Sequence, residues 1–427
     1  MKLDLEAHSL IKECKKDRLN IGNLDSDTLE FLKKQKIVVE ILEDDDFVWE
    51  LEFKTNQQTY SQSNLTLTIA PTTDCNFACP YCFEEDKKTQ KMSAKVIDGL
   101  VHFINDHTNA KCLNITWYGG EPLMAFEEIK EILEKISAET SIQIKQHHMI
   151  TNGFLINPAM INLFKKYPLN TIQITLDGNE ERHNSLRFLK CTNKPSYKEI
   201  LKNIEILLNE LQETQIHLRI NIDKNNFHEF PGIAEELKTK WKDKNLIVYP
   251  GILRIDNADK TNLACPALQR AEVAALFINL KQKGLCDVQL YPTHFDKVCS
   301  ATNINSYVIG PLGEIYKCWN DVSDKSKIIG NICSDELTNK SLLYRYIVAC
   351  KWHSDSKCRA CFFLPICSGA CAWYNLRNIY KNGKYDLCSI YKSPNVLKQV
   401  LEIMYEERFN ENTNQQPCSR SMADLFD

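Results

Sequence analysis

Leu65-Thr66-Leu67-Thr68-Ile69-Ala70 stands shortly before Cys75-Asn76-Phe77-Ala78-Cys79-Pro80-Tyr81-Cys82, and this stretch decides the expected fold. The first part is apolar and rich in β-branched residues, which predicts a buried strand. The second part places three cysteines in the loop after that strand. Three thiolates can hold a four-iron cluster and leave one iron without a protein ligand, so that it can bind a substrate or cofactor. The stretch therefore predicts chemistry at the end of a strand.

Strand patterns and helical patterns alternate from residue 65 onward. The predicted strands are 65–70, 113–118, 142–151, 171–176, 216–222 and 246–253, and the predicted helices are 93–106, 125–137, 157–166, 197–211 and 229–241. Such alternation predicts a parallel α/β sheet. In a sheet of this kind the functional loops lie at the carboxyl ends of the strands, where the cysteine loop also falls.

The amino-terminal part, residues 1–64, predicts a small α+β domain of its own. Two helical patterns precede two β-rich runs around an acidic turn, which is the order of elements in a winged helix. The helical patterns cover 4–16 and 26–35, with a cap for the second at Asp25-Ser26-Asp27, and the β-rich runs cover 37–42 and 47–53. The polar stretch 55–64 predicts a linker.

The carboxyl-terminal part has weak periodicity and many cysteines. An apolar helical stretch at 264–284 predicts a bridge, assigned to residues 256–285. The next region, 286–400, is expected to depend on metal sites more than on a large core. A helix at 394–407 runs into the tail 401–427, whose polar end is predicted to be disordered.

Composition and charge exclude several function classes. A hydrophobic content of 43% and a charged content of 25% are ordinary for a globular protein, and the net charge of −4 disfavours a dedicated nucleic-acid binder. No apolar stretch reaches the roughly 18 residues of a membrane span, and the first residues show no secretory signal. We therefore expect a cytoplasmic protein, in which clustered cysteines are metal ligands more often than disulfides.

Seven cysteines form a second set, and the two sets together hold ten of the 18 cysteines. Cys299 is followed by thirteen residues and then by Gly313-x4-Cys318. The set continues with the closely spaced Cys358, Cys361, Cys367 and Cys371 and ends at Cys388. The other cysteines are expected to be inert buried or surface thiols, namely Cys14, Cys112, Cys191, Cys265, Cys286, Cys333, Cys350 and Cys418.

The first cysteine set resembles the cluster motif of the radical S-adenosylmethionine (SAM) superfamily, Cys-x3-Cys-x-aromatic-Cys. The resemblance implies that Cys75, Cys79 and Cys82 ligate a catalytic [4Fe-4S] cluster whose fourth iron chelates SAM, and that SAM is cleaved to a 5′-deoxyadenosyl radical. It also implies a set of cofactor-binding residues at the ends of four strands. These are Tyr81, Gly119, Gly120, Glu121, Pro122, Asn152, Thr175 and Asp177.

The second set matches the SPASM pattern, which marks one branch of that superfamily. The resemblance implies two auxiliary [4Fe-4S] clusters, one held by Cys358, Cys361, Cys367 and Cys388 and the other by Cys299, Cys318 and Cys371. Some relatives have an extra cysteine shortly before the position of Cys299, where this chain has Thr293 and His294. Either Cys286, Cys265 or His294 completes that cluster, or its site is open to a substrate thiolate.

The expected fold class is therefore α/β, a partial (β/α)6 barrel of the TIM type over residues 65–255. A SPASM domain would follow it, and a winged-helix-like domain would precede it. SPASM-type enzymes mostly modify peptides, and the amino-terminal order resembles leader-binding domains that take a peptide as an added strand. The resemblance thus implies an oxidoreductase that matures a precursor peptide, with a thioether crosslink as the first choice. A flavodoxin or ferredoxin would be its electron donor. We expect it to bind neither nucleic acid nor a membrane.

Several alternatives remain open. One is an anaerobic sulfatase-maturing enzyme, which makes formylglycine; another is an iron–sulfur electron carrier or redox sensor without catalysis. The Gly119–Pro122 motif argues against a carrier, which has no need to hold an amino acid group. Zinc ribbons also use Cys-x2-Cys pairs, so a zinc scaffold is a third alternative. Residues 1–64 would be a lid on the barrel if they bind no peptide.

Overall fold

The computed structural model describes most of the chain, and the ranges it describes are 25–34, 38–39, 41–82, 88–253, 268–285, 298–334, 337–367, 369–388 and 392–409. The chain divides into one compact unit that ends at Lys54 and a second that begins at Thr55. Several predicted features lie outside the described residues: the helix at 4–16, the candidate ligands Cys265, Cys286 and His294, and the tail from residue 410.

In the first unit, the predicted helix at 26–35 is present as α1, Ser26–Lys34. It begins at the predicted cap, where the Asp25 carboxylate accepts a hydrogen bond of 2.8 Å from the Thr28 N–H. Lys33 and Lys34 lie in its last turn, where positive charge is favourable to the helix dipole.

The predicted hairpin, and with it the winged-helix order, is wrong for the described residues. Residues 47–53 lie in helix α2, Ile41–Thr59, and the described residues of 37–42 contain no strand. The aromatic and β-branched residues of these runs suggested strands. However, the acidic stretch 43–46 stands at the amino-terminal end of α2, where negative charge stabilises a helix. Negative charge at the start of α2 thus favours the helix over a weak strand propensity.

The prediction of a linker at 55–64 is also wrong, because these residues are held within the second unit. The Ile304 N–H donates a hydrogen bond of 2.8 Å to the carbonyl oxygen of Thr59. The side-chain amide of Asn305 donates to the carbonyl oxygens of Gln62 at 3.2 Å and of Asn64 at 3.0 Å. Two of its polar side chains are also used, because Asn56 Oδ1 accepts from Lys351 Nζ and Gln62 Oε1 from Asn109 Nδ2, each at 2.7 Å.

Six parallel strands form the main sheet, as predicted, and each bound lies within one residue of its prediction. They are β1 Asn64–Ile69, β2 Cys112–Trp117, β3 Gln143–Thr151, β4 Thr171–Leu176, β5 Gln215–Ile222 and β6 Leu246–Ile252. Their order across the sheet follows their order along the chain, and each pair of neighbours is parallel. The fold class is therefore α/β with a parallel sheet, so all six carboxyl ends lie at one edge.

The crossovers between these strands are helical, as predicted, with one short helix that the sequence pattern did not show. The helices are α3 Ala94–Asp106, α4 Phe126–Glu139, α5 Pro158–Lys166, the short α6 Glu180–Leu186, α7 Tyr197–Glu210 and α8 Phe230–Lys240. Each long helix buries an apolar stripe against the sheet. In α3, for example, Ile97, Leu100, Val101 and Ile104 recur at helical spacing and are buried.

The sheet extends beyond the six predicted strands. β7, Ser306–Ile309, pairs in parallel with β1, and β8, Glu314–Tyr316, and β9, Gly330–Asn331, continue it in antiparallel fashion. Strand β1 therefore lies inside the sheet, between β2 and β7. Strands of four residues or fewer carry too little periodicity to be predicted from sequence. This pairing attaches the cysteine-rich region to the barrel sheet.

The remaining helices are mostly short, as the weak periodicity of this region suggested. They are α9 Arg270–Gln282, α10 Lys340–Tyr344, α11 Ser356–Arg359, α12 Leu364–Cys367, α13 Ala372–Tyr380 and α14 Pro394–Phe409. A π-helical turn, Arg345–Ala349, follows α10. None of the helices that the structure describes is both long and apolar enough to cross a membrane.

A buried histidine links β2 to β3. The indole N–H of Trp117 donates to Nε2 of His147 at 2.7 Å, and Nδ1 of His147 lies 3.1 Å from the carbonyl oxygen of Pro168. Because Nε2 accepts a hydrogen bond, the ring proton lies on Nδ1 and the imidazole is neutral. Burial lowers the pKa of His147 to about 4.

We expect a mild fall in pH to destabilise the protein through His147. The pKa is about 4 in the folded state and near 6.5 for an unperturbed side chain. Between these values the unfolded chain binds more protons, so stability falls as the pH falls. From about pH 7.5 to about pH 5.5 this loss is about 1 kcal/mol. Thermal unfolding at both pH values, for the protein and for His147→Gln, measures this loss of stability. The fall in Tm on acidification should be smaller for the variant than for the unmodified protein.

His102→Gln is the matched control, because His102 lies on the surface of α3 in an exposed pair with Asp106. This control should lose as much Tm with acidification as the unmodified protein. Equal losses in His147→Gln and in the unmodified protein would contradict the assignment to His147.

Candidate active site

The three cysteines of the first set lie in a loop that leaves β1 at its carboxyl end. Two hydroxyl groups hold the base of this loop against the segment before α3. Thr72 Oγ1 donates to the carbonyl oxygen of Gln90 and Thr73 Oγ1 to that of Lys88, each at 2.7 Å. Both threonines are buried, so these bonds are shielded from water. The loop is therefore anchored before the first cysteine.

The loop presents its thiols in a half-buried setting. The Phe77 N–H points at Cys75 Sγ at 3.4 Å, and the Cys82 N–H donates to the carbonyl oxygen of Cys79 at 3.1 Å. Burial raises the pKa of the Cys75 thiol to about 12 and that of Cys79 to about 11. These sulfurs are therefore partly shielded from water, which is the setting that tunes an iron–sulfur cluster.

The glycines after β2 allow two backbone segments to touch. A Cβ on Gly119, whose φ is +128°, would lie 2.3 Å from the carbonyl oxygen of Thr72, and a Cβ on Gly120 would lie 2.2 Å from that of Asp74. Because neither glycine has a Cβ, the two segments come close enough for the Glu121 N–H to donate to the Asp74 carbonyl oxygen at 2.7 Å. Gly119 and Gly120 thus dock the loop after β2 against the cysteine loop, a role that the sequence did not indicate.

Glu121 is fully buried and joins the ends of β2 and β3. Oε1 accepts hydrogen bonds from the Thr151 hydroxyl at 2.6 Å and the Leu123 N–H at 3.1 Å, while Oε2 accepts from the Asn152 N–H at 2.7 Å. Burial raises the pKa of Glu121. A carboxylate has about four acceptor positions, so one position on Oε2 remains for a ligand. Pro122 follows at the start of a 3₁₀ turn that Glu121 caps.

Asn152 connects the end of β3 to the cysteine loop. Its Nδ2 donates to Asn76 Oδ1 at 2.7 Å, and its own Oδ1 accepts from the Phe154 N–H at 2.9 Å. The Nδ2 atom of Asn76 is buried and has no hydrogen-bond partner within the described part of the chain. A buried amide donor of this kind costs free energy unless a ligand accepts from it.

Tyr81 and Asp177 meet in a polar cluster. The Tyr81 hydroxyl donates a short hydrogen bond to Asp177 Oδ2, and Asn221 Nδ2 donates to Asp177 Oδ1 at 2.7 Å. Arg187 Nη1 donates to the Tyr81 hydroxyl oxygen at 3.1 Å. Burial, and then the charge of Asp177, raise the pKa of Tyr81 well above its usual range, so the phenol stays protonated. The cluster fixes Tyr81 between the loops after β1 and β4.

A second chain of hydrogen bonds supports Arg187 from behind. The Asp177 N–H donates to His183 Nδ1 at 3.2 Å, so the ring proton lies on Nε2, which is 2.9 Å from Ser196 Oγ. The Ser196 hydroxyl in turn donates to the carbonyl oxygen of Arg187 at 2.6 Å. Burial lowers the pKa of His183 to about 3, so the ring is neutral. This chain positions the backbone from which Arg187 reaches Tyr81.

Thr175 is the remaining predicted contact of SAM, and strand register places it opposite Arg219 of β5. Arg219 Nε donates to Asn221 Oδ1 at 3.0 Å. A Cβ on Gly251 would lie 2.1 Å from that Nε, so the glycine makes room for the guanidinium. The structure therefore brings Thr175 to the same edge of the sheet as Asp177.

The second cysteine set separates into two groups in space. Burial first, then the charge of Asp355, and then that of nearby thiols raise the pKa of Cys358 to about 11; these thiols are those of Cys367, Cys361 and Cys388. The thiols of Cys299 and Cys371 act in the same way on buried Cys318. The SPASM resemblance predicts one cluster for each of these groups, and this assignment stays a prediction. Across the described ranges, no three Cys, His, Asp or Glu side chains converge on the position of a single metal ion.

The residues of the first site fit an iron–sulfur cluster together with a small amino acid ligand. Cys75, Cys79 and Cys82 supply three thiols from one anchored loop, the donor type that such clusters take. Glu121 has an acceptor position left, and Asn76 has a buried donor with no partner among the described residues. Asn221 acquires its role only through the fold, because its position in the sequence carries no motif, whereas Asn76 lies inside the cysteine motif and Arg187 lies soon after the fourth strand.

Residues 69–237 match the family model described as "Radical SAM superfamily". The chain contains a radical SAM domain. Proteins of this superfamily bind SAM and a [4Fe-4S] cluster. The matched range contains the cysteine loop and the Glu121 and Asp177 sites. The contacts of the cysteine loop, Glu121 and Asp177 therefore belong to the radical SAM domain.

Known proteins resemble this chain beyond the radical SAM domain as well. The radical SAM cyclopropyl synthase TigE of Paramaledivibacter caminithermalis is 23% identical over 350 residues, which cover 74% of this chain and 70% of TigE. The structure of anSMEcpe with bound AdoMet and the Cp18Cys peptide has 19% identity and a TM-score of 0.60, and the match covers 81% of this chain and 98% of that chain.

Streptococcus suis SuiB bound to S-adenosylmethionine has 17% identity and a TM-score of 0.55, and the match covers 91% of this chain and 89% of SuiB. These two structures share their fold with this chain. Several other curated relatives are matched over less than half of their own length, for example 38% of an uncharacterized protein of Synechocystis.

Gly120→Ala should displace the cysteine loop, because the new Cβ would lie 2.2 Å from the Asp74 carbonyl oxygen and 2.7 Å from that of Thr73. We expect this variant to lose the iron bound at the first site, about one cluster's content, and to unfold at a lower temperature. Iron and sulfide analysis of anaerobically prepared protein, together with thermal unfolding, measures both effects.

Gly232→Ala is the matched control, because a Cβ there has no atom within 4 Å and the residue lies in helix α8. This control should keep its iron and gain about 0.5–1 kcal/mol of stability from helix propensity. Full iron content in Gly120→Ala would show that the close approach of the two loops is not needed for the site.

Proposed function

We propose that this chain is a radical SAM enzyme that modifies a ribosomally made peptide and installs a crosslink in it. The observation that carries the proposal is the loop of Cys75, Cys79 and Cys82 at the end of β1, docked against the loops of Glu121 and Asp177. An electron carrier needs the cysteines alone. The buried donors and acceptors around them are the groups that would bind SAM.

Each part of the site would hold one part of the cofactor pair. Cys75, Cys79 and Cys82 would ligate the [4Fe-4S] cluster. The free acceptor position of Glu121 suits an amino group, and Asn76 Nδ2 offers a donor to a carboxylate. When bound, the cluster and SAM supply a 5′-deoxyadenosyl radical, which takes a hydrogen atom from the substrate.

The surrounding residues position these groups. Gly119, Gly120 and Pro122 bring the Glu121 loop against the cysteine loop, and Asn152 reaches the same loop through Asn76. Tyr81 is fixed by Asp177 and Arg187, next to Thr175 at the edge of the sheet. We propose that these residues, predicted from sequence as contacts of SAM, line its binding site.

A peptide substrate is supported by proteins of the same fold. Two solved structures of the same fold contain a bound peptide, Cp18Cys with anSMEcpe and the precursor peptide SuiA with SuiB. The match to the SuiA complex covers 91% of this chain with a TM-score of 0.52. By extension, we propose a precursor peptide as the substrate here, and a flavodoxin- or ferredoxin-type protein as the electron donor.

Crosslink formation requires an electron acceptor. The substrate would lose a hydrogen atom from carbon, which leaves in 5′-deoxyadenosine, and a proton from sulfur as the C–S bond forms. One electron remains, and two auxiliary [4Fe-4S] clusters in the second cysteine set would accept it. A thioether is the product we favour. An alkyl radical and a cysteine sulfur form a C–S bond with the loss of only a hydrogen atom, a proton and one electron.

Formylglycine formation in a sulfatase is the second candidate. It is favoured by the extent of the anSMEcpe match, which covers 98% of that chain. Mass spectrometry of the product distinguishes the two reactions: a crosslinked peptide is two hydrogens lighter and gains no aldehyde, whereas formylglycine reacts with a hydrazide reagent.

The test of the radical SAM activity is anaerobic reduction with dithionite in the presence of SAM. We expect 5′-deoxyadenosine and methionine from the unmodified chain. A variant in which Cys75, Cys79 and Cys82 are all alanine should lose this activity by at least a hundredfold, because no other residues are proposed to hold the catalytic cluster.

Cys191→Ala controls for the loss of a cysteine as such, because Cys191 is exposed and lies outside both cysteine sets. It should form 5′-deoxyadenosine at the rate of the unmodified chain. A fully iron-loaded protein that forms no 5′-deoxyadenosine would favour the electron carrier, and a colourless protein that contains zinc would favour the scaffold.

A further inference from the structure

Cys350 lies outside the SPASM pattern, yet the fold places it beside one of the two auxiliary cysteine groups. It is only 4% exposed and follows the π-helical turn Arg345–Ala349. Its Sγ lies 3.5 Å from the carbonyl oxygen of Ala372, the residue next to Cys371. From the sequence we expected this cysteine to be an inert buried thiol.

One asparagine fixes the backbones of Cys350 and Cys371 together. Asn375 Nδ2 donates to the carbonyl oxygen of Cys350 at 3.2 Å, and the Asn375 N–H donates to that of Cys371 at 3.0 Å. Two cysteines distant in sequence are therefore tied to the same turn of α13, which limits how far their sulfurs can separate.

A buried carboxylate adds the segment of Cys318 to this arrangement. Asp321, three residues after Cys318, accepts from the Trp373 indole N–H at 3.0 Å and from the Tyr346 hydroxyl at 2.5 Å. Trp373 stands two residues after Cys371, and Tyr346 stands four residues before Cys350. One side chain thus ties together three segments that each carry a cysteine. Removing a carboxylate from water costs free energy, and hydrogen bonds to buried donors offset that cost.

Cys299 belongs to the same neighbourhood. The 3₁₀ turn that it caps, Ser300–Thr302, packs against the turn Arg345–Ala349 and against α13. Buried Lys317 holds the chain after this turn, because its Nζ donates to the carbonyl oxygen of Asn303 at 2.6 Å.

We infer that Cys350 is the fourth protein ligand of the auxiliary cluster held by Cys299, Cys318 and Cys371. This inference rests on the proposed function, which places a [4Fe-4S] cluster there. Four thiolates satisfy the four irons of such a cluster, and the pattern in the sequence supplied only three. The donor type is also the one that iron–sulfur clusters prefer.

A closed cluster changes the role of this site in the proposed reaction. With Cys350 in place, no iron is left for a substrate sulfur, so the site would accept an electron without binding the peptide. The crosslink would then form between two groups of the substrate, held apart from this cluster. The alternative from sequence, an iron open to a substrate thiolate, requires that Cys350 does not bind the cluster.

The test uses the full-length chain with Cys75, Cys79 and Cys82 changed to alanine, so that only auxiliary clusters remain. This parent should bind about eight irons, two clusters of four. Cys350→Ala, made in the parent, should release about one of these irons on mild oxidation and show the electron paramagnetic resonance signal of a three-iron cluster. The parent should show neither change.

Two controls isolate Cys350 from other cysteines. Cys333→Ala removes an exposed cysteine, and Cys286→Ala removes the upstream candidate from the sequence. Both should behave as the parent does. Cys350→Ser keeps the volume of the side chain, so it serves if the alanine variant does not fold. In Cys350→Ser, the serine oxygen should replace the cysteine sulfur as a ligand and shift the electron paramagnetic resonance signal of the reduced cluster.

Three results would overturn the inference. The first is a Cys350→Ala or Cys350→Ser protein whose iron content and spectra equal those of the parent. The second is a three-iron signal in Cys286→Ala, which would make Cys286 the ligand. The third is a parent without auxiliary iron, which would also remove the auxiliary clusters from the proposed function. Formation of 5′-deoxyadenosine by the unmodified chain tests the radical SAM activity separately, so the two failures are distinguishable.

Discussion

The candidate site depends on the parallel pairing of β1 with both of its neighbours. Strand β1 lies between β2 and β7, and its residues Leu65, Leu67 and Ile69 are fully buried. A strand held on both sides cannot shift its register by one residue without turning its apolar side chains out of the core. Its carboxyl end is therefore fixed, and so is the start of the cysteine loop. The same pairing brings the cysteine-rich region to the barrel sheet.

Buried carboxylates then join the loops that this sheet positions. Glu121 accepts from the ends of β2 and β3, Asp177 from Tyr81 and Asn221, and Asp321 from Tyr346 and Trp373. Each connects segments that lie far apart in sequence. An acceptor in the protein interior costs free energy unless donors satisfy it, so each carboxylate enforces one arrangement of its neighbours. The fold uses this penalty to hold three cysteine-bearing regions in place.

The strands of the main sheet were predictable because apolar residues recur at every second position, as Leu65, Leu67 and Ile69 do in β1. The helices were predictable because their apolar stripe recurs at helical spacing. The hairpin at 37–53 was not, since the aromatic residues of α2 satisfy a strand pattern as well as a helical one. The linker at 55–64 failed for a different reason. Polar side chains indicate exposure to solvent or internal hydrogen bonding equally, and only the partners, here Lys351 and Asn109, decide which.

At the site, the sequence by itself determined the chemistry of the donors. The spacing of Cys75, Cys79 and Cys82 belongs to one short loop, so local sequence is sufficient to bring those thiols together. The sequence also determined which segments form the parallel strands, through their hydrophobic pattern. Only the tertiary structure decided which distant groups complete the site: Asn76 beside Asn152, Arg187 on Tyr81, and Cys350 among the auxiliary cysteines. These contacts join residues up to 140 positions apart, as Tyr81 and Asn221 show, and no local pattern records a contact that forms only when the chain folds back on itself.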